Sequence, residues 1–512
     1  MQIEKLFLLI AILVGTLLSA HFYFQGDKGK TLDQGIVTQS TALAAGESLL
    51  VSGDVDNFGS RGTFDLYLSA DGRFLQVIDA EIGEEVAYDG ARGWVADQTQ
   101  LVRDQSRSEW AWAYLRANAT GNNWNAIESR FRVQKSGHDM SSSGETWIIS
   151  DNQSPFEATL KIDPATNLIA EIEYVGGFGH ELMKFSNYAD TNGVLVASKI
   201  VQTLDGIDYR VINITHRERL NSLSEAIYRP SQSVPDDYQF DLSVSPELEV
   251  RKTAAGHFLV RPIIDGIQMG WFFLDTGASV STIDKSAVHK LNLSQVGQIP
   301  LLSIFGRVEA PVYSADTLSL GPITIMGTTL TEMDLAPFNQ ALGEEIEGVI
   351  GYPLFARSII EIDISKDRVL IHDPATFQLD AGHWEELILD SNHPIIRASF
   401  EGNHEGTFRL DIGAGQSNVV FHTETVDALN MLAGKETIEQ DVGIGVIAVG
   451  ELGWIEFAET RFENIPAAFS RAESGPFADN TTNGNIGVGL LSNFTLIFDY
   501  QNARIAFIPK EN

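Results

Sequence analysis

The 512-residue chain contains no cysteine. That absence removes disulfides, thiolate metal sites, cysteine nucleophiles and a lipid-bearing cysteine behind a leader segment. Basic residues are scarce: 35 Lys and Arg stand against 69 Asp and Glu, a formal charge of −34. Such a surface repels nucleic acid and anionic lipid, so no nucleic-acid partner is expected, and the acidic excess reads as a solubilising surface. The chain also lacks a His-Glu-x-x-His run, a Walker loop and a Gly-x-Ser-x-Gly elbow. Zinc-peptidase, nucleotide-hydrolysing and serine-hydrolase chemistry are thereby left without their usual carriers, and no cofactor or metal is expected. Asp54-Val-Asp-Asn-Phe-Gly59 begins like a calcium loop, but Phe58 occupies a ligand position and a solvated loop is the expectation.

Uncharged apolar sequence is concentrated at the start, in the fifteen residues Leu6 to Ala20. The length fits the apolar region of a signal peptide cleaved after Ala20. Leu18 is not the small residue such a site prefers, and His21-Phe-Tyr-Phe24 prolongs the stretch, so an uncleaved anchor over residues 6–24 is the alternative. Either way the body is expected outside the cytoplasm: periplasmic, secreted or tethered to a membrane.

The remaining composition, 44% hydrophobic and 20% charged, is that of a globular protein, and the length calls for two to four domains. Residues 1–24 are the targeting segment, and 25–45 a polar linker. From 46 to 228 the text alternates as strands do. Thr63–Leu68 turns at Ala70-Asp-Gly72 and returns through Arg73–Ile78; Phe156–Ile162 turns at Asp163–Asn167 and returns through Leu168–Tyr174. Ser108-Glu-Trp-Ala-Trp-Ala-Tyr-Leu115 is the helix candidate, which predicts an antiparallel sheet curled round a helix. Together with the late Phe185–Tyr188 and Gly193–Ser198, this rhythm resembles the half-barrel of bacterial lipoprotein carriers. Prolines and small polar residues then mark a linker over 229–247.

An internal repeat occupies the rest, as residues 248–376 and 377–512. Trp271-Phe-Phe-Leu-Asp275-Thr-Gly-Ala-Ser279 returns 136 residues later as Thr407-Phe-Arg-Leu-Asp411-Ile-Gly-Ala-Gly415. The same offset carries Gly348-Val-Ile-Gly351 onto Gly484-Asn-Ile-Gly487, Leu354 onto Leu490, Asp363 onto Asp499 and Arg368 onto Arg504. An ungapped register of this length reads as a duplication. Two like halves pack about a pseudo-two-fold axis, which sets Asp275 beside Asp411. Two carboxylates in contact cannot both ionise cheaply, so they share a proton and offer one base and one acid. Asp363 and Asp499 fall in closing hairpins and are expected to make turn hydrogen bonds.

Leu274-Asp-Thr-Gly-Ala-Ser279 with Val349-Ile-Gly351 resembles the aspartic peptidases of the pepsin and retropepsin clan, over about residues 248–512. The resemblance implies a mainly β fold with two β-barrel-like lobes behind the curled N-terminal sheet. It implies a catalytic dyad of Asp275 and Asp411, supported by Thr276, Gly277, Ser279 and Gly413. It also implies a substrate-covering flap in each lobe, for which the candidates are Phe305 and Gly306 in the first and Gly443 and Gly445 in the second. The implied partner is a peptide or protein substrate, hydrolysed by a monomer, with a dimer of first lobes as an alternative. The second lobe departs from the pattern: Ile412 replaces the threonine whose hydroxyl would cross the lobe interface, and Gly415 replaces Ser279. A buried Thr276 hydroxyl then needs another acceptor. The departure leaves open a non-catalytic ligand- or peptide-binding envelope protein on a degenerate peptidase fold.

Overall fold

The computed structural model describes residues 43–136, 145–176, 179–191, 194–230, 233–303, 306–441, 446–472, 476–478 and 480–510. The apolar segment 6–24 lies outside them, and among the described residues no helix is long and apolar enough to cross a membrane. The described chain is mainly β and divides into two units, residues 43–98 with 104–230 and residues 99–103 with 233–510.

In the first unit, both hairpins expected from the alternation are present, Ser60–Ser69 with Phe74–Asp79 and Glu157–Asp163 with Leu168–Gly176. Antiparallel pairing continues outward from each. Ser48–Asn57 lies against Ile207–Leu220 and joins the two meanders into one sheet. Right-handed twist accumulates over so many strands, and a sheet of this width curls. The helix Arg107–Thr120 packs inside the curl. Ser106 and Glu109 close a reciprocal capping box at its start. Its Trp110, Trp112, Tyr114 and Leu115 are all buried, in one core with Leu66, Phe74, Leu160 and Ile200. From Trp110 to Thr120 every residue of this helix but Arg116 is buried, so it has no solvent-facing side. Asp54, Asp56 and Asn57 are not a solvated loop: they lie in the strand Ser48–Asn57, where Asp54 faces Thr63.

The second unit contains two sheets of like strand succession. In one, Trp271–Leu274 is followed by Ile346–Ile350 (parallel), Thr282–Asp284 (antiparallel), Ile323–Met333 (parallel) and Gly306–Leu320 (antiparallel). In the other, His404–Asp411 is followed by Gly484–Gly487, Val419–Phe421, Thr460–Ser470 and Val446–Phe457 in the same directions. A single apolar core runs through both and includes Phe272, Leu274, Ile350, Phe408, Leu410 and Ile486.

Two features differ from the sequence reading. The stretch 229–247 is more than a linker: Tyr238–Phe240 pairs with Ile323–Ile325, and Asp237 is held by the buried Arg357, whose Nε donates at 2.7 Å. Short strands of this kind leave little periodicity to read. The closing hairpins, Ile359–Asp363 with Arg368–His372 and Phe494–Asp499 with Arg504–Pro509, do not stay within separate halves. Ile359–Asp363 pairs antiparallel with Phe494–Asp499, so both hairpins share one sheet. Glu361 faces Ile497 at the centre of that pairing, and these residues are 136 apart. As expected, Asp363 accepts from Ser365 and Lys366 in its turn, and Asp499 from Asn502.

Candidate active site

Alternation along Trp271–Leu274 and His404–Asp411 sorts the side chains by face. Phe272 and Leu274, like Phe408 and Leu410, enter the core, while Asp275 and Asp411 follow at the strand ends on the opposite face. Behind each aspartate the parallel partner strand holds the same register: Leu274 lies opposite Ile350, and Leu410 opposite Ile486.

The two aspartates are brought together. Both are buried, at 0% and 4% exposure. A Cβ placed on Gly277 would lie 2.9 Å from Asp411 Oδ1 and 3.2 Å from Asp275 Oδ1; one placed on Gly413 would lie 2.5 Å from Asp275 Cγ. Glycine is required at both positions because the backbone passes this close to the carboxylates. That proximity lets backbone amides favour the charge: Gly277 N–H donates to Asp275 Oδ1 at 2.7 Å, and the Gly413 amide of the opposite loop also lowers the cost of ionising Asp275. Asp411 Oδ2 accepts from Asn485 Nδ2 at 3.0 Å, and the Gly413 and Ala414 amides lie where they favour its charged form. Asp275 Oδ2 and Asp411 Oδ1 have no hydrogen-bond partner among the protein atoms.

Thr276 finds the acceptor that Ile412 cannot supply. Its hydroxyl donates to the Leu410 carbonyl at 2.7 Å and accepts from the Ile412 N–H at 3.1 Å, so one threonine ties the loops together through backbone. Ile412 is wholly buried in the apolar core. Ser279, expected to support the dyad, is half-buried and makes no hydrogen bond to either aspartate; Ser281 instead accepts from the Gly351 N–H at 3.3 Å. Loop lengths differ as well. Thr282 faces Val349 while Val420 faces Asn485, so the second loop is two residues longer from its aspartate to the next strand.

Of the flap candidates, Phe305, Gly443 and Gly445 lie outside the described residues. Gly306 opens the strand Gly306–Leu320 and faces Ser303 of Ser294–Ser303. In the other sheet Asp441 faces Val446, so strands pair on both sides of the second candidate.

Electrostatics separate the two acids. Burial pushes the Asp275 carboxyl well above the usual range and the neighbouring Asp411 charge pushes it further, against the pull of the Gly277 and Gly413 amides. Burial also raises Asp411, but the Arg409 charge, Asn485 and the Ala414 and Gly413 amides hold it to about 6. Burial lowers His257, which packs against Phe273, to about 4. Tyr500 is raised well above its ordinary value by burial and then by Tyr352 and Asp275.

Arg409, Asn485, His422 and His257 were not singled out by the sequence reading. Two of them carried a signal. Under the offset of 136, Arg409 and Asn485 stand where the first half has Phe273 and Val349, and an apolar-to-polar exchange at a buried strand position marks a local environment that has changed.

Residues 260–354 match the family model described as aspartyl protease, a span that contains Asp275-Thr-Gly277 and Ile350-Gly351 and ends before Asp411. The chain thus carries an aspartyl-protease-like segment. No curated protein matches the chain. Among solved structures, a DUF1329 family protein from Desulfovibrio piger is similar at 14% identity and a TM-score of 0.26, covering 36% of this chain and 91% of its own. A LolA superfamily protein from Nitrosomonas europaea is similar at 12% identity and a TM-score of 0.28, covering 37% of this chain and 92% of its own.

Proposed function

We propose that the chain is an exported aspartic endopeptidase whose Asp275 and Asp411 activate a water molecule against a peptide bond. The observation that carries this reading is the pair itself: two buried carboxyls flanking one glycine, each amide-held on one side and each keeping an oxygen with no protein partner. Those two oxygens are the atoms available to a shared proton and a water. The match of residues 260–354 to an aspartyl-protease model supports the same reading. The repeated strand succession, and the 136-residue offset between Glu361 and the Ile497 it faces, support a duplicated pair of lobes.

The chemistry needs one proton on the dyad. The ionised aspartate takes a proton from water as the water oxygen bonds to the carbonyl carbon, and the protonated aspartate gives its proton to the carbonyl oxygen. The resulting gem-diol collapses when the first aspartate protonates the nitrogen, the C–N bond breaks, and the second aspartate recovers a proton from a diol hydroxyl. Carboxylic acid and amine leave, and the dyad is restored with one proton. Burial serves this cycle because it keeps one carboxyl neutral near neutral pH. The Thr276 bridge to Leu410 and Ile412 supports a dyad formed within one chain rather than between two first lobes.

Cleavage of a mixed peptide library between about pH 3 and 8 by the wild-type chain, Asp275→Asn and Asp411→Asn tests this reading. Loss of cleavage in both variants is expected. Activity that persists in Asp411→Asn points to a dimer of first lobes, and no cleavage by the wild type favours the binding-protein alternative.

A further inference from the structure

The two aspartates rest on unlike foundations. Beside Asp275 the adjacent ladder positions are Phe273 and Val349, packed with Leu259, Met333 and Phe338. Beside Asp411 the equivalent positions are Arg409 and Asn485, which lie opposite one another on their parallel strands and are 1% and 2% exposed. Asn485 does not end the polar set. Its Nδ2 donates to Asp411 Oδ2 at 3.0 Å, while its Oδ1 faces Nε2 of the fully buried His422 at 3.0 Å. His422 Nδ1 in turn lies 3.1 Å from the Thr482 carbonyl oxygen and 3.2 Å from Thr482 Oγ1.

The partners assign the protons. Asn485 presents its carbonyl oxygen to His422, so Nε2 carries the hydrogen and donates. The donors of His422 and Asn485 both point towards Asp411, and aligned hydrogen bonds in a dry interior strengthen one another. The Arg409 guanidinium adds a positive charge that acts on Asp411. The groups facing the dyad are few: Asp275 and Arg409, His257 beside the Gly413 backbone, and Tyr500 on the Asp275 side. His257 and Tyr500 are neutral between about pH 5 and 9, given the directions in which burial moves them. Of these groups only Arg409 carries positive charge there, and it favours an anion at Asp411.

We infer that Arg409 and the His422–Asn485 pair are positioning residues that decide the sense of the dyad, making Asp411 the ionised base that deprotonates water and Asp275 the acid that protonates the substrate carbonyl. The roles rest on the peptidase reading; the order of ionisation does not. The first-lobe equivalents, being apolar, cannot stabilise an anion, so the assignment follows from an asymmetry in the side chains rather than from the aspartates themselves.

The test is Asn485→Val, which installs the residue the first half has at this place. The lower limb of the kcat/KM pH profile should rise by about one pH unit as Asp411 loses its donor, with the upper limb unmoved. Asn485→Ser, which keeps a hydroxyl donor, should recover part of that rise, and His422→Phe should move the same limb by less, should Asn485→Val not fold. Infrared titration of the full chain labelled with carboxyl-13C aspartate, assigned through Asp275→Asn and Asp411→Asn, reads the order of ionisation without catalysis. Asp411 ionising before Asp275, with Asn485→Val delaying it, is the expected result. Asp275 ionising first, or a lower limb that stays in place, overturns the inference. A wild-type chain that cleaves nothing yet ionises in the expected order fails as a peptidase while the assignment stands.

Discussion

Replacing Asp411 by Asn removes one carboxyl whose folded environment resists ionisation, and the consequence for stability can be worked through. The group sits at about 6 in the folded chain against an ordinary 3.8. Below both values it is protonated whether the chain is folded or not. Between them the folded chain holds a proton that the unfolded chain has released, so stability falls as pH rises through this window. Each pH unit between the two values costs about 1.4 kcal/mol, and the loss reaches about 3 kcal/mol by the time pH passes the folded value. Asparagine keeps the carbonyl that accepts from Asn485 but cannot ionise. The wild type should therefore lose about 3 kcal/mol more than Asp411→Asn between about pH 3.5 and 7. Calorimetric or urea unfolding at the two pH values measures this. Asp275 is present in both proteins but loses the push of the Asp411 charge in the variant, so the double difference reads the two acids as a pair. Identical pH dependence in the two proteins, or a wild type that gains on the mutant as pH rises, would refute the reasoning. The same raised value predicts a lower limb of the cleavage profile near pH 6 rather than in the acid range.

Gly413→Ala places a Cβ 2.5 Å from Asp275 Cγ, so the carboxyl must move. A fall in kcat/KM of at least about 100-fold is expected, with about 1–3 kcal/mol lost in urea unfolding. Arg357→Ala leaves Asp237, only 14% exposed, without its partner and should cost about 3–5 kcal/mol. The pH profile should not change, because Arg357 does not touch the dyad; a moved profile would show the two regions to be coupled.

The N-terminal hairpins were legible because period-two alternation, broken by turns at Asp71-Gly72 and Asp163–Asn167, is a local property. The helix was named only over Ser108–Leu115, whereas it runs Arg107–Thr120. Tyr238–Phe240 was not, since three residues carry no period and its strand character comes only from pairing with Ile323–Ile325. The union of the two closing hairpins was equally hidden: both were readable as hairpins, but nothing within either says which edge it will find.

At the site, the sequence by itself determined the two Asp-x-Gly turns, the strands that lead into them and the residues that recur at an offset of 136. These follow from spacing, and spacing survives without coordinates. Tertiary structure alone decided that Thr276 would bridge to backbone at Leu410 and Ile412, that Ser281 rather than Ser279 would hold Gly351, and that Asn485 and His422 would stand beneath Asp411. Each of those contacts joins residues more than 60 positions apart, and its partner is chosen by strand register and loop length. Two aspartates that look equivalent along the chain are made unequal by what their folded neighbours can do with charge: apolar side chains cannot stabilise an anion, whereas a guanidinium and an amide can.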